Sequence, residues 1–151
     1  MKKIYLSIFL LLFMACANGS KKDQKISEEK VRKTFNDFFY ALDNDYTKIK
    51  DFVTDDFVIY EVGRKWTTDE FLEFVKSFGS FEVERKFSNM VIDTDINSAH
   101  IRLEHRGNFI LENPTPEGET ELYYEWLESA YLVKQGDDLK FKFYFSEQVN
   151  E

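Results

Sequence analysis

The chain is poor in cysteine. Cys16 is its only one among 151 residues, so the folded part can hold no disulfide. Histidine is scarce too. His100 and His105 are the only two, and no His-Glu-x-x-His or similar spacing accompanies them. No metal centre is expected. Glycine-rich phosphate loops, nucleophile elbows and internal repeats are missing, and no cofactor is expected. Basic charge is in deficit: 20 Lys and Arg stand against 28 Asp and Glu, a formal charge of −8. An acidic surface is repelled by phosphate backbones, which excludes nucleic acid as an expected partner. The greasy stretch Ile4–Ala15 has 12 residues, whereas a bilayer-spanning helix needs roughly 20.

What is present at the N-terminus fits secretion. Lys2 and Lys3 precede that short apolar stretch, the build of a signal peptide. Phe13-Met14-Ala15-Cys16 then resembles the lipobox of bacterial lipoproteins, with Phe13 where Leu is usual. The resemblance implies cleavage after Ala15 and diacylglycerol on the Cys16 sulfur, with palmitate-like chains anchoring the protein to a membrane. Two or more acyl chains hold stably, at about 0.8 kcal/mol per buried methylene. Ala17, rather than Asp, follows the cysteine, which in such lipoproteins implies the outer membrane of a two-membrane cell envelope. Residues 1–15 are therefore expected as signal peptide, 16–25 as a polar lipidated tether, and 26–151 as one domain. Losing Lys2 and Lys3 takes the formal charge from −8 to −10.

The domain opens with helical periodicity. Ser27 is a good N-cap, Glu28 and Glu29 suit the first turn, and Val31, Phe35, Phe38, Phe39 and Leu42 form one stripe. Asp43-Asn44-Asp45 ends this helix. A shorter helical segment carries Tyr46, Ile49, Phe52 and Val53. Thr54-Asp55-Asp56 is expected as a turn into a strand, Phe57–Val62, with a bend at Gly63. Thr67-Thr68-Asp69-Glu70 is a capping box opening a third helix that ends at Gly79. From Phe81 the period becomes two. Apolar residues move from odd positions (Phe81, Val83, Phe87) to even ones (Met90, Ile92), which predicts a β-bulge near Ser88-Asn89. Three further strands follow. Helices first and a long bent antiparallel meander last give an α+β fold in which a curved sheet wraps the helices.

This order resembles the nuclear transport factor 2-like (SnoaL-like, cystatin-like) superfamily, a cone-shaped α+β fold. The resemblance rests on FNDFFYALDNDYTKIKDFVTDDFVIY, WTTDEFLEFVKSF and AYLVKQGDDLKFKFYFSE, and covers most of Ile26–Glu147. It implies a pocket at the open end of the cone and no particular activity, because that superfamily holds isomerases, hydrolases, binding domains and immunity-type proteins. Where relatives carry Trp-Lys-Ile and a later His in the last strand, this chain has Leu139-Lys140-Phe141 and Phe143-Tyr144-Phe145. An apolar wall is expected there, without a catalytic constellation.

Alternation puts His105 on the inward face with Ile101, Leu103 and Phe109, and His100 on the outer one. An inward imidazole can serve as general base; the plainer reading is a strand-end histidine bonded to a backbone carbonyl. Tyr124, Trp126 and Glu128 share a parity with Leu122, Ala130 and Leu132, and would face inward together. The opposite parity (Tyr123, Leu127, Tyr131, Val133) is nearly as apolar, so alternation alone leaves the choice open. If inward, Glu128 is a carboxyl in apolar surroundings, suited to acid chemistry. Tyr40, Tyr60 and Trp66 are expected, with Tyr124 and Trp126, to line the cone mouth. The leading expectation is a lipid-anchored, non-catalytic pocket for a small apolar ligand or a protein partner. The alternatives are an isomerase or hydrolase using His105 or Glu128 with Tyr60 or Tyr124, and an interaction module that pairs through its exposed sheet face as a homodimer.

Overall fold

The computed structural model describes residues 24–149. The expected signal peptide, Cys16 and most of the tether lie outside the described residues. Helix α1 runs Glu28–Asn44, followed by a 3-10 turn at Tyr46–Asp51. Strands β1 (Val53–Glu61) and β2 (Arg64–Thr67) form a hairpin, and α2 is Thr68–Ser77. The meander is β3 (Phe81–Thr94), β4 (Ser98–Leu111), β5 (Glu121–Gln135) and β6 (Asp138–Gln148). No helix among the described residues is long and apolar enough to cross a membrane.

The helix ends follow their capping chemistry. The Ser27 hydroxyl accepts from the Lys30 amide, and Thr67 and Glu70 form the reciprocal box, each accepting from the other's amide. Gly79 sits at φ +70° just past α2, where a Cβ would be strained.

Six strands form one sheet in the order β2-β1-β6-β5-β4-β3. All neighbours are antiparallel except β1 and β6, which run parallel. The bulge lies where the parity change put it: the β3–β4 register shifts between Ser88 and Val91, and Asn89 has φ +52°. Three features differ from the sequence reading. The second helix is only a 3-10 turn. Thr54-Asp55-Asp56 is no turn but part of β1, where Thr54 Oγ1 donates to Asp56 Oδ1 at 2.9 Å and the pairing with β6 slips between Val53 and Val58. Trp66 stands on the short strand β2, because Val62-Gly63 closes a two-residue hairpin rather than a simple bend.

The concave side of the sheet is filled by α1. Phe35 and Phe141 are fully buried, and Phe38 lies on Phe141 with ring centroids 4.5 Å apart. Phe39 packs on Phe87 at 4.8 Å. This aromatic core occupies the narrow end of the cone and leaves the other end open.

Candidate functional site

The open end holds a cavity of about 200 Å³ between α1, α2 and the concave face of the sheet. Most of its wall is apolar: Phe74 from α2 and Phe78 just past its end, Phe81 from β3, Phe109 from β4, Tyr124 and Trp126 from β5. Val62 and Phe78, both exposed, mark its mouth. Gly107 shapes one wall. A Cβ there would lie 2.8 Å from the Phe109 ring and 3.1 Å from that of Trp126, so only glycine lets both rings pack over the strand as they do.

The floor is polar, and its groups come from five elements. Arg85 on β3 grips Asp43 at the end of α1, with Nε 2.9 Å from both carboxylate oxygens and Nη2 2.7 Å from Oδ1. Its guanidinium lies 5.2 Å from the centroids of Phe39 and Phe109, within cation–π range. Arg85 Nη1 is 3.3 Å from His105 Nε2. Arginine can only donate, so Nε2 must accept, and the ring proton sits on Nδ1. Nδ1 donates in turn to Glu128 Oε1 at 2.9 Å. The Tyr144 hydroxyl donates to Glu128 Oε2 at 2.6 Å, and Ser146 reaches Oε1 at 3.5 Å. Burial, then the adjacent Glu128 charge, push the Tyr144 phenol well above its usual range, so it stays protonated and donating. Asp43, Arg85, His105, Glu128 and Tyr144 thus form one continuous chain in which the bonding capacity of each group is largely met within the chain.

Glu61 stands apart from it. This half-buried carboxyl at the end of β1 lines the cavity, and its side chain has no hydrogen-bond partner among the described residues. Burial, followed by the Glu128 charge, raises its pKa to about 7; Arg85 opposes the shift.

The sequence reading is corrected at several positions. His105 is not a strand-end histidine on a carbonyl: it lies mid-strand, buried between Phe87 (centroids 4.6 Å) and Trp126 (4.7 Å), and is held by side chains. The closing strand is not a purely apolar wall, because Tyr144 projects inward from it. Tyr40 does not line the cavity; it lies one residue past the inward Phe39, about 100° round the helix, and is 72% exposed. Tyr60 alternates with the inward Ile59 and Glu61, so it faces outward against Phe143. Trp66 is buried outside the cavity, packed at a tilt against Phe74 with centroids 4.7 Å apart, with Nε1 donating to the Glu61 carbonyl at 3.0 Å. Tyr124, Trp126, Glu128 and His105 do line it. His100 faces outward, its Nε2 2.8 Å from Ser129 Oγ. Among the described residues no group of three His, Cys, Asp or Glu could hold a metal.

Glu61 and Arg85 went unnoticed in the sequence although a signal existed. Glu61 continues the inward series Phe57, Ile59, and Arg85 continues Phe81, Val83, Phe87. A charge inside an apolar stripe marks a buried polar site. Tyr144 was hidden, because a register slip in β6 opposite Tyr131 and Leu132 switches the inward parity after Phe141.

No family profile matches the chain, and no curated protein matches it. Solved structures do. A protein from Novosphingobium aromaticivorans provisionally assigned as a scytalone dehydratase superposes with a TM-score of 0.65 at 19% identity, covering 81% of this chain and 83% of its own. An uncharacterized protein with a cystatin-like fold from Caulobacter vibrioides gives 0.65 at 14% identity, with 81% and 89% covered. The association domain of C. elegans CaMKII gives 0.63 at 13% identity, with 79% and 93% covered. The fold is therefore nuclear transport factor 2-like and cystatin-like. At such identities the likeness carries the fold and no activity.

Proposed function

We propose that this protein is a lipid-anchored envelope protein whose cone cavity binds a small, largely apolar molecule without transforming it. The observation that carries the reading is the pairing of an open aromatic cavity with a polar floor that is already bonded to itself. A cavity of about 150 Å³ accommodates a benzene-sized molecule, so this one suits a ring with a short substituent. Acid–base chemistry at His105 or Glu128 would first have to break the chain from Asp43 to Tyr144. Of the two donors expected to assist, Tyr60 faces the other side of the sheet, and only Tyr124 lines the cavity. A preorganised floor of this kind favours recognition of one polar end, while the walls supply affinity.

The test has two parts. Mass spectrometry of the native product is expected to find residues 1–15 removed and acyl chains on Cys16, and Cys16→Ser is expected to release the protein from the membrane fraction. Screening the full-length chain in detergent against small aromatic compounds is expected to give binders without turnover. Turnover of a ketone, epoxide or ester lost in His105→Ala would overturn the reading.

A second reading is favoured by the outer face of the sheet. Leu127, Tyr131 and Phe145 are 50%, 39% and 38% exposed on the paired strands β5 and β6. Such a patch suits pairing with a second copy of the chain. Sedimentation of the detergent-solubilised protein as a dimer, reduced to monomer by Leu127→Lys, is the expected result.

A further inference from the structure

We propose that the cavity selects ligands carrying a protonated amine, which pairs with the Glu61 carboxylate while the apolar body lies against the aromatic walls. The inference rests on the pocket reading above and names its ligand class. Charge bookkeeping around the cavity leads to it. Arg85, the one full positive charge on the lining among the described residues, is already neutralised by its two-oxygen grip on Asp43. Glu128 has both oxygens taken, by His105 and Ser146 on one and Tyr144 on the other. Among the described residues, Glu61 alone faces the space with an unbonded carboxyl.

The three ligand classes fare differently. An anion would meet two carboxylates and a guanidinium that is spoken for. A neutral ligand would displace water from Glu61 and leave its charge uncompensated in a confined, apolar space, which is costly. An ammonium group supplies both the countercharge and donors for the two free oxygens. The walls favour it further, because aromatic faces attract cations within about 6 Å of the ring centre. The cavity already shows this with a cation of its own, the Arg85 guanidinium over Phe39 and Phe109.

The pH response follows from the groups around Glu61. Arg85 on β3 and Glu128 on β5 act on it directly. Tyr144 on β6, held protonated, also lies within electrostatic reach of it, while His105 on β4 stands behind Glu128 and Asp43 on α1 behind Arg85. The cavity-facing side chains of α2 are all apolar. Acidification protonates Glu61 and removes the countercharge, so amine selectivity is lost as the pH falls from 8 to 5.

Three compounds of one shape provide the experiment: benzylamine, benzyl alcohol and benzoate, titrated calorimetrically into the full-length chain in detergent at pH 8 and pH 5. At pH 8 the amine is expected to bind roughly ten-fold tighter than the alcohol, with benzoate weakest and the amine's advantage lost at pH 5. Glu61→Gln is expected to bring the amine-to-alcohol ratio at pH 8 to about one, with an intact melting transition showing that the variant is folded. Alcohol binding as tight as amine, or a ratio unchanged by Glu61→Gln, overturns amine selection and leaves the pocket standing. If none of the three binds at millimolar concentration, the pocket reading falls, and the inference with it.

Discussion

His105 Nδ1 lies 2.9 Å from Glu128 Oε1, and the two side chains are only 2% and 4% exposed. The pair joins β4 to β5 inside the cone and is itself bracketed by Arg85 and Tyr144. Its burial makes it costly to break, because whichever partner survives is left with an unpaired polar group away from water.

Truncating Glu128 is therefore expected to be severe. Glu128→Leu strands the His105 N–H and the Tyr144 hydroxyl together and should destabilise the fold by about 3–5 kcal/mol. Tyr144→Phe removes one donor only and should cost about 1–2 kcal/mol. Urea denaturation of the two variants measures the difference. Equal, small effects would mean that water reaches Glu128.

Glu61 sets a pH dependence with a definite sign. Its folded pKa, about 7, lies above the ordinary value of 4.5. The folded state holds the proton more tightly than the unfolded one, so this contribution to stability is complete below pH 4.5 and is lost as pH rises through 7. The loss is on the order of 2 kcal/mol after discounting for partial solvent contact. Glu61→Gln is expected to melt higher than the parent at pH 8 and to match it near pH 4.5. Carboxyls whose pKa is lowered, Asp45 by Thr47 and Lys48, Asp56 by Lys142 and Thr54, and Glu70 by Thr67, act in the opposite sense below that window.

Val62 is strained at the cavity mouth. It has φ +51° next to Gly63 at +68°, in a two-residue hairpin whose geometry favours Asn-Gly. A β-branched residue there costs about 1–2 kcal/mol. Val62→Asn is expected to raise stability by about 1 kcal/mol while weakening binding of a ring-sized ligand, since an apolar contact at the mouth is lost. Thermal melts and titration of benzyl alcohol read the two effects separately.

Gly107→Ala probes the wall. The added methyl meets the Phe109 and Trp126 rings, which have empty space beside them into which to move. The fold is expected to survive with a destabilisation of about 1–2 kcal/mol, and ring-sized ligands should bind several-fold more weakly because the displaced rings narrow the cavity. Unaltered affinity would place the ligand elsewhere.

Much of the fold was legible along the chain. Ser27 and Thr67 announced the two helices, Gly79 the end of the second, and the switch from odd to even apolar positions located the bulge at Asn89. The inward face of His105 was also readable, because alternation over a long strand is a local property; that of Glu128 stayed open, because both faces of its strand are nearly equally apolar. Tyr40, Tyr60 and Trp66 misled, because an aromatic ring suits a core, a pocket or a surface equally well. Tyr144 was concealed by a one-residue slip that reverses every later side chain in its strand.

The sequence by itself determined which residues form each helix and strand and, for most of them, which side faces inward, since both follow from neighbours a few positions apart. Only the tertiary structure decided that Asp43, Arg85, His105, Glu128 and Tyr144 bond to one another while Glu61 is left without a hydrogen-bond partner among the described residues. Those contacts depend on the register of β3 to β6 and on the parallel docking of β1 against β6. Register is fixed by packing between segments far apart in the chain, which no local pattern encodes.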